Sequence, residues 1–166
     1  MQCLGIDWAY RRAAWCARSD GGAIVGEGAV PADEDGLLGL AGDFPVKLAL
    51  DESVVALEAA RRWQAMGWTG VFVIKPALAG PLGDLVAWAA KTKADVVLSS
   101  AIETAAGRAA ILRLALARPE LSTRALGFGV GDVFGDRRWD GPALGPILDA
   151  GWLDGVDVED AWNALS

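Results

Sequence analysis

The chain has 166 residues, of which 53% are hydrophobic, and its 15 basic and 22 acidic side chains give a formal net charge of −7 at pH 7. This acidic balance argues against nucleic acid or an anionic membrane as a partner. The hydrophobic fraction is typical of a folded domain. The sequence contains no histidine, which excludes Ser-His-Asp hydrolases, His-dependent racemases and most zinc enzymes.

The two cysteines and the hydrophobic runs indicate a cellular compartment. Cys3 and Cys16 are too few for a disulfide framework, so a reducing compartment is expected. No apolar run reaches the ~18–20 residues of a membrane span. The first ten residues lack the basic region that precedes the apolar core of a signal peptide. We therefore expect a cytoplasmic protein.

Short apolar runs alternate with longer amphipathic stretches along the chain. The pattern predicts three helices, at 54–66, 81–91 and 103–117. Gly67 is placed to end the first helix, and Pro119 to stop the third. The runs of strand length are residues 3–7, 23–27, 46–51, 71–75, 95–100 and 125–129.

The alternation of strands and helices predicts an α/β fold with a parallel sheet. A closed eight-unit β/α barrel typically needs about 250 residues, more than this chain has. We expect a single α/β domain over residues 1–166, with strands arranged as in a β/α barrel. An open sheet is the alternative that spacing alone does not exclude.

Polar residues end successive apolar runs at a regular spacing. Glu27, Asp51, Lys75 and Ser99 lie 24 residues apart, and Asp7 precedes Glu27 by 20 residues. In a β/α barrel the carboxyl ends of the strands converge on one face, where functional side chains lie. The simpler interpretation is that any βα protein has polar residues where strands meet loops.

Three carboxylates followed by a lysine predict a particular chemistry. Asp7, Glu27 and Asp51 would give Mg²⁺ the oxygen ligands it prefers. Lys75 beside the metal would transfer a proton or stabilise an anion, and together they would stabilise an enolate formed from a carboxylate substrate. Alternatively, Asp51 is a helix N-cap and Lys75 a surface lysine before Pro76.

Two further segments are candidates for substrate binding. Ser99, Ser100 and Glu103 stand where a strand leads into a helix, a position suited to a carboxylate ligand. Ordinary capping of that helix is an equally good interpretation. The glycine-rich segment 127–131 indicates a tight turn or close approach of the backbone to a ligand. We include Gly129, at its centre, among the substrate-binding candidates.

Four segments resemble a known family. They are ALDESV (49–54), GVFVIKPALAG (70–80), VVLSSAIETAAGR (96–108) and RALGFGVGDVF (124–134). In this order they look like consecutive motifs of o-succinylbenzoate synthases, in the muconate-lactonizing branch of the enolase superfamily. The resemblance implies a capping domain and a modified barrel. It also implies a lyase that uses Mg²⁺ to dehydrate 2-succinyl-6-hydroxy-2,4-cyclohexadiene-1-carboxylate in menaquinone or phylloquinone biosynthesis.

The resemblance also implies roles for individual residues. Asp51 matches the third metal ligand, and Lys75 matches a lysine that faces the ring of the intermediate. The segment with Ser99, Ser100 and Glu103 matches the one that borders the succinyl carboxylate. Glu27 and Asp7 fall at the second and first ligands. The family's Glu-Gln-Pro and Asp-x-Asn are here Glu-Gly-Ala at 27–29 and Asp-Trp-Ala at 7–9.

Part of the family pattern does not occur in this sequence. No Lys-x-Lys precedes Asp7, whereas in the family its second lysine is the acid–base catalyst. The Lys-Thr-Lys at 91–93 fits the pattern, but it precedes the fifth apolar run. It therefore does not replace the missing family motif. The resemblance therefore implies a partial (β/α) TIM-like barrel of about six βα units, without the capping domain and the first two barrel strands. We expect impaired activity, because a missing base costs about 10²–10⁴-fold in rate, and self-association through open sheet edges.

Three alternatives remain open. One is an N-acylamino acid racemase or dipeptide epimerase of the same superfamily, and another is a non-catalytic remnant. The third concerns the first forty residues, which are also compatible with a hairpin turning at 19–22. In that interpretation GIDWA is similar to the first strand of RNase-H-like transposases, and Asp7 is a nuclease metal ligand.

Overall fold

The computed structural model describes residues 3–8, 12–122, 124–128, 133–142 and 150–164, with the backbone alone described for 3–8. The chain divides into two compact units, one formed by residues 1–49 and 61–70 and the other by residues 50–60 and 71–166. The described strands are β1 (Cys3–Trp8), β2 (Arg12–Arg18), β3 (Ile24–Pro31), β4 (Ala49–Leu50), β5 (Val71–Ile74) and β6 (Asp95–Leu98). The described helices are α1 (Glu34–Asp43), α2 (Leu57–Ala65), α3 (Pro76–Ala79), α4 (Leu82–Thr92), α5 (Ala105–Ala117), α6 (Arg137–Asp140), α7 (Gly151–Asp154) and α8 (Val158–Asn163).

The sheet of the first unit is antiparallel. β2 pairs with β1 on one side and with β3 on the other, so the strand order is β1-β2-β3. Between β2 and β3, the amide of Ser19 donates to the carbonyl of Ala23 over 2.9 Å, and the amide of Gly22 donates to the carbonyl of Ser19 over 2.9 Å. Gly22 has a φ of 80°, which glycine adopts without strain. The hairpin turn at 19–22 is therefore confirmed.

The prediction of parallel strands joined by a helix is wrong for the first 31 residues. The interval between the two predicted runs contains β2, a strand with Ala13 and Ala17 buried. The tight turn that follows β2 leaves no segment to cross over the sheet, and a parallel pair needs such a crossover. Glu27 also does not end its strand, because β3 continues to Pro31.

Helix α1 packs in the first unit and was not predicted. Its N-cap is Asp33, whose carboxylate accepts a hydrogen bond from the amide of Gly36 over 2.9 Å. Leu37 and Leu40 are buried. The segment carries three glycines in ten residues, and their low helix propensity hides the helical pattern. Packing of the two buried leucines outweighs that propensity.

Aromatic rings fill the core of the first unit. The rings of Trp15 and Phe44 meet edge to face with centroids 5.0 Å apart. A Cβ at Gly28 would lie 2.9 Å from the Trp15 ring, so this ring needs a glycine beside it. Trp63 and Trp68 form a second edge-to-face pair at 5.6 Å. Such pairs stabilise beyond the area they bury.

The second sheet has the order β4-β5-β6. β5 and β6 are parallel, with Val71 opposite Asp95 and Ile74 opposite Leu98. A parallel bridge between Ser99 and Gly127 adds a further segment beside β6. Ile74 and Leu98 are fully buried. The prediction of parallel strands is therefore confirmed for β5 and β6, and the α/β class is correct for the chain.

The three predicted helices, at 54–66, 81–91 and 103–117, are confirmed. They correspond to α2, α4 and α5, with bounds that differ by a few residues. Helix α5 begins after Thr104, whose hydroxyl accepts from the amide of Gly107 over 3.5 Å, and it ends before Pro119. Gly67, after α2, has a φ of 93°, as a glycine that ends a helix should. Among the described residues, no helix is long and apolar enough to cross a membrane.

Candidate functional site

Three of the residues singled out in the sequence follow neighbouring strands of the second unit. Asp51 comes directly after β4, Lys75 after β5 and Ser99 after β6. The amide of Ser99 donates to the carbonyl of Ile74 over 2.9 Å, which holds the ends of β5 and β6 at the same level. The predicted convergence of polar residues at strand ends is therefore present in this sheet.

The ammonium group of Lys75 forms an ion pair with the carboxylate of Asp51. It also lies 3.7 Å from Oε1 of Glu52. The Lys75 side chain is 21% exposed and that of Asp51 is 40% exposed, whereas Glu52 is 87% exposed. The half-buried pair thus differs from a surface lysine beside a helix-capping aspartate, the simpler interpretation of these two residues.

Local backbone structure positions Lys75. Its carbonyl accepts from the amides of Leu78 and Ala79 over 2.9 and 3.0 Å, at the start of α3. Pro76 occupies the first position of α3, where its fixed φ suits a helix and its missing amide costs nothing. The strand end and this helix start fix the backbone from which the ammonium group reaches Asp51.

A cavity of about 310 Å³ adjoins the ion pair. The ion pair forms part of the cavity lining, and most of the lining is apolar. Such a combination suits a ligand with an anionic group and an apolar body. The lining residues are Asp51, Glu52, Val54, Val55, Lys75, Leu78, Ser100, Ala101 and Ile102.

The two serines are buried at the end of β6. The hydroxyls of Ser99 and Ser100 both donate to the carbonyl of Gly127, over 3.0 and 3.2 Å. A Cβ at Gly127 would lie 2.6 Å from Oγ of Ser99. The glycine is therefore required for the close approach of this segment to β6. Of the two serines, Ser100 lines the cavity.

Glu103 folds back on its own loop. Its carboxylate accepts from the amide of Ala101 over 2.5 Å. Burial raises the pKa of Glu103, although this hydrogen bond and the charge of Arg108 act in the opposite direction. The N-cap of α5 is Thr104, so helix capping is not the role of Ser99 or Ser100. One Glu103 oxygen, Oε1, is buried and has no hydrogen-bond partner among the described residues.

A buried arginine behind this loop was missed in the sequence. Arg108 is 1% exposed, donates to the carbonyl of Asp140 over 3.1 Å, and lies 5.9 Å from the Trp152 ring centroid. The sequence signal for its burial is the spacing that puts Arg108 on the same helical face as Ala105 and Leu112, which are both buried. A charge at such a position must have buried partners. Arg108 therefore ties α5 to the segment that ends α6.

Two predicted site residues, Asp7 and Glu27, belong to the first unit. The backbone of Asp7 pairs with Ala14 in the first sheet, and the exposed Glu27 pairs with Cys16. Both belong to the first unit and Asp51 to the second, so a metal site shared by these three carboxylates stays a prediction. Gly129 lies outside the described residues.

Two neighbouring carboxylates, Asp51 and Glu52, are candidates for binding magnesium. Asp51 and Glu52 offer the carboxylate oxygens that Mg²⁺ prefers. Across the described part of the chain, however, no three His, Cys, Asp or Glu residues are grouped to hold a metal. The ammonium of Lys75 also occupies the Asp51 carboxylate. The described residues therefore do not fit a complete metal site.

The second unit carries charged residues at strand ends beside a cavity. This arrangement is typical of active sites in α/β enzymes. No protein-family model matches the chain. The chain is 40% identical over 130 residues to o-succinylbenzoate synthase of Thermosynechococcus vestitus, an alignment that covers 74% of this chain and 38% of that enzyme.

A solved structure of an o-succinylbenzoate synthase is also similar to this chain. It is the crystal structure of o-succinylbenzoate synthase from Thermosynechococcus elongatus BP-1, complexed with Mg in the active site. Its TM-score is 0.57 at 35% identity, over 78% of this chain and 37% of that one. The chain thus spans under two-fifths of the length of the relatives it matches. The resemblance inferred from the four sequence segments is confirmed.

Proposed function

We propose that the chain provides part of the active site of an o-succinylbenzoate synthase-like lyase. The observation that carries this proposal is the Lys75–Asp51 ion pair at neighbouring strand ends, beside a largely apolar cavity. The similarity to a synthase over 130 residues supports it. The proposed reaction is dehydration of 2-succinyl-6-hydroxy-2,4-cyclohexadiene-1-carboxylate to o-succinylbenzoate, in menaquinone or phylloquinone biosynthesis.

Each part of the cavity has a task in this reaction. The ammonium of Lys75 attracts the substrate carboxylate and stabilises the anion that forms when solvent water accepts the ring proton, before the hydroxyl group leaves as hydroxide and the ring becomes aromatic. Asp51 holds the ammonium at the strand end. Val54, Leu78 and Ile102 offer an apolar surface to the ring.

Magnesium is the proposed cofactor of the complete site. When bound, it would polarise the substrate carboxylate as a Lewis acid. Asp51 is the proposed ligand in the second unit, and the assignment of Asp7 and Glu27 as further ligands stays a prediction from the sequence. We also propose that the second unit is a portion of a β/α barrel. A cytoplasmic location and self-association through open sheet edges stay predictions from the sequence.

A dehydration assay tests the proposal. The purified chain is mixed with the cyclohexadiene substrate and MgCl₂, and o-succinylbenzoate is measured by chromatography. We expect slow dehydration, about 10²–10⁴-fold below that of a synthase with its acid–base lysine. Lys75→Met abolishes this rate, whereas Lys91→Met, a change at an exposed position of α4, preserves it. Absence of Lys75-dependent dehydration would contradict the proposed reaction.

A non-catalytic chain that binds the same ligand is the second candidate function. The incomplete metal site among the described residues favours it. Calorimetry with o-succinylbenzoate separates the two candidates. Binding of the product without any dehydration is the result expected of the second candidate, and dehydration above background contradicts it.

A further inference from the structure

The loop between β6 and α5 lines part of the cavity. Ser100, Ala101 and Ile102 all contribute to the lining, and Ile102 is 74% exposed. At one end of the loop, the amide of Ser100 donates to the carbonyl of Gly127 over 2.9 Å. At the other end, Thr104 caps α5. Because both ends are anchored, the shape of this part of the cavity depends on what holds the middle of the loop.

The middle of the loop is held by a carboxylate that does not itself line the cavity. Glu103 accepts a hydrogen bond from the amide of Ala101 over 2.5 Å, but it is not among the described residues of the lining. A hydrogen bond to an ionised acceptor is about twice as strong as one between neutral groups. The effect of Glu103 on the cavity therefore passes through the Ala101 amide.

The surroundings of Glu103 fix its side chain. A Cβ at Gly107 would lie 3.1 Å from both Cβ and Cγ of Glu103, so the first turn of α5 packs closely against this side chain. Burial raises the pKa of Glu103, whereas the Ala101 hydrogen bond and the charge of Arg108 favour the ionised form. The carboxylate thus reaches the loop from a fixed position on the helix start.

We propose that Glu103 is a positioning residue whose carboxylate holds the loop from Ser100 to Ile102 in the conformation that accepts the ligand. This role differs from direct contact with a substrate carboxylate, which the sequence interpretation gave to the same segment. The identity of the ligand rests on the proposed function. The link between Glu103 and the loop does not, because it follows from the hydrogen bond to Ala101.

Protonation of Glu103 should loosen the loop. The neutral carboxyl group is a weaker acceptor, and the raised pKa makes this happen at a higher pH than for an exposed glutamate. The charged groups around the loop are Arg108 on α5, Asp140 in α6, and Asp51, Glu52 and Lys75 in the cavity lining. Since Glu103→Gln does not titrate, the difference between it and the unmodified chain isolates the contribution of Glu103.

Nuclear magnetic resonance of the Ala101 amide tests the link without any ligand. In the unmodified chain, the shift of this amide proton should titrate with the raised pKa of Glu103, and in Glu103→Gln this titration should vanish. Glu103→Leu removes the acceptor, so the Ala101 amide should exchange with solvent at least about tenfold faster. Glu159→Gln, at an exposed position of α8, is the control and should behave as the unmodified chain.

Calorimetry with o-succinylbenzoate measures the consequence for the cavity. Glu103→Leu should raise the Kd at least about tenfold. Glu103→Gln keeps an acceptor oxygen and the side-chain length, so its Kd at neutral pH should stay within about threefold of the original value. In the unmodified chain the Kd should rise as the pH falls through the pKa of Glu103, and more steeply than in Glu103→Gln. Circular dichroism checks that each variant is folded.

The outcomes separate this role from the proposed function. An Ala101 amide that neither titrates nor exchanges faster in folded Glu103→Leu overturns the proposal. Faster exchange with an unchanged Kd in that variant overturns it as well, because the loop would then not determine binding. Failure of o-succinylbenzoate to bind the unmodified chain contradicts the proposed function instead. An Ala101 titration that Glu103→Gln abolishes would still support the link between Glu103 and the loop.

Discussion

The two units of the chain connect their strands in different ways. In the first unit, β2 and β3 are joined by a tight turn at 19–22 and lie antiparallel. In the second unit, β5 and β6 are joined through α3 and α4 and lie parallel. The second unit brings Asp51 and Lys75 together beside a cavity.

The difference explains where the candidate site lies. Parallel strands with helical connections bring their carboxyl ends to one edge, where side chains from several strands meet. Antiparallel neighbours run in opposite directions, so the residues that end successive strands fall at opposite edges. Regular spacing of polar residues in the sequence therefore predicts a shared site only where the connections are crossovers.

Removing core volume from the second sheet should have the largest effect. Leu98 is fully buried at the end of β6, so Leu98→Ala should lower the free energy of unfolding by about 2–5 kcal/mol. Leu116 on α5 is 48% exposed, and Leu116→Ala should change it by less than about 0.5 kcal/mol. Urea denaturation measures both. Equal losses would show that β6 is not in the core of this unit.

The second-largest loss of stability is expected where Gly127 packs closely against the end of β6. The added Cβ of Gly127→Ala would meet Oγ of Ser99 at 2.6 Å, and we expect a loss of about 1–3 kcal/mol. Ser99→Ala removes this oxygen, so the double variant should recover part of the loss. Additive losses in the urea denaturation of the two single variants and the double variant would contradict the contact.

The helix caps allow the two units to be compared directly. Asp33→Ala removes the N-cap of α1, and Thr104→Ala removes that of α5. Each should cost about 0.5–2 kcal/mol. The capping hydrogen bond of Asp33 is 2.9 Å long, whereas that of Thr104 is 3.5 Å long. Asp33 also carries a negative charge that suits a helix N-terminus, so Asp33→Ala should lower stability more than Thr104→Ala. Hydrogen exchange at the amides of Gly36 and Gly107 reports each cap separately, and a larger loss at Gly107 would refute this order.

The smallest effect is a pH dependence from Asp140. The amides of Phe134 and Asp136 donate to its carboxylate over 3.0 and 3.1 Å, and these bonds, that of Phe134 first, lower the pKa of Asp140. A lowered pKa in the folded state means that its contribution to stability is complete above the ordinary Asp pKa, about 3.9. The contribution is lost as the pH falls through the folded value. Asp140→Asn should reduce the acid-side slope of stability; an unchanged slope would contradict these bonds.

The sequence predicted much of the second unit because its signals are local. Pro119 marks a helix end by its own backbone preferences, and Asp51 and Lys75 follow short apolar runs that form strands. The first unit was harder to predict. β2 resembles a helical segment by composition, and three glycines conceal α1. The pairing that makes β2 a strand is a contact with other strands, which spacing does not encode.

The site itself was predictable only in part. The proximity of Asp51 and Lys75 followed from the 24-residue spacing, whereas their direct ion pair did not, because it depends on rotamers and burial. Arg108 was missed for the same reason, since its partner carbonyl at Asp140 is 32 residues away. The grouping of Asp7 and Glu27 with Asp51 assumed that consecutive strands are parallel. In the first sheet β2 instead lies antiparallel between β1 and β3, and the shared metal site stays a prediction.

A nuclear magnetic resonance titration with o-succinylbenzoate tests most directly whether the second unit carries a carboxylate-binding site at Lys75. Amide shifts are followed for the unmodified chain, for Lys75→Met and for the control Lys91→Met. We predict saturable shifts around Lys75, Ser100 and Ile102 in the unmodified chain and the control, and their loss in Lys75→Met. Shifts confined to β2 and β3, or shifts that persist without the lysine, would contradict the account.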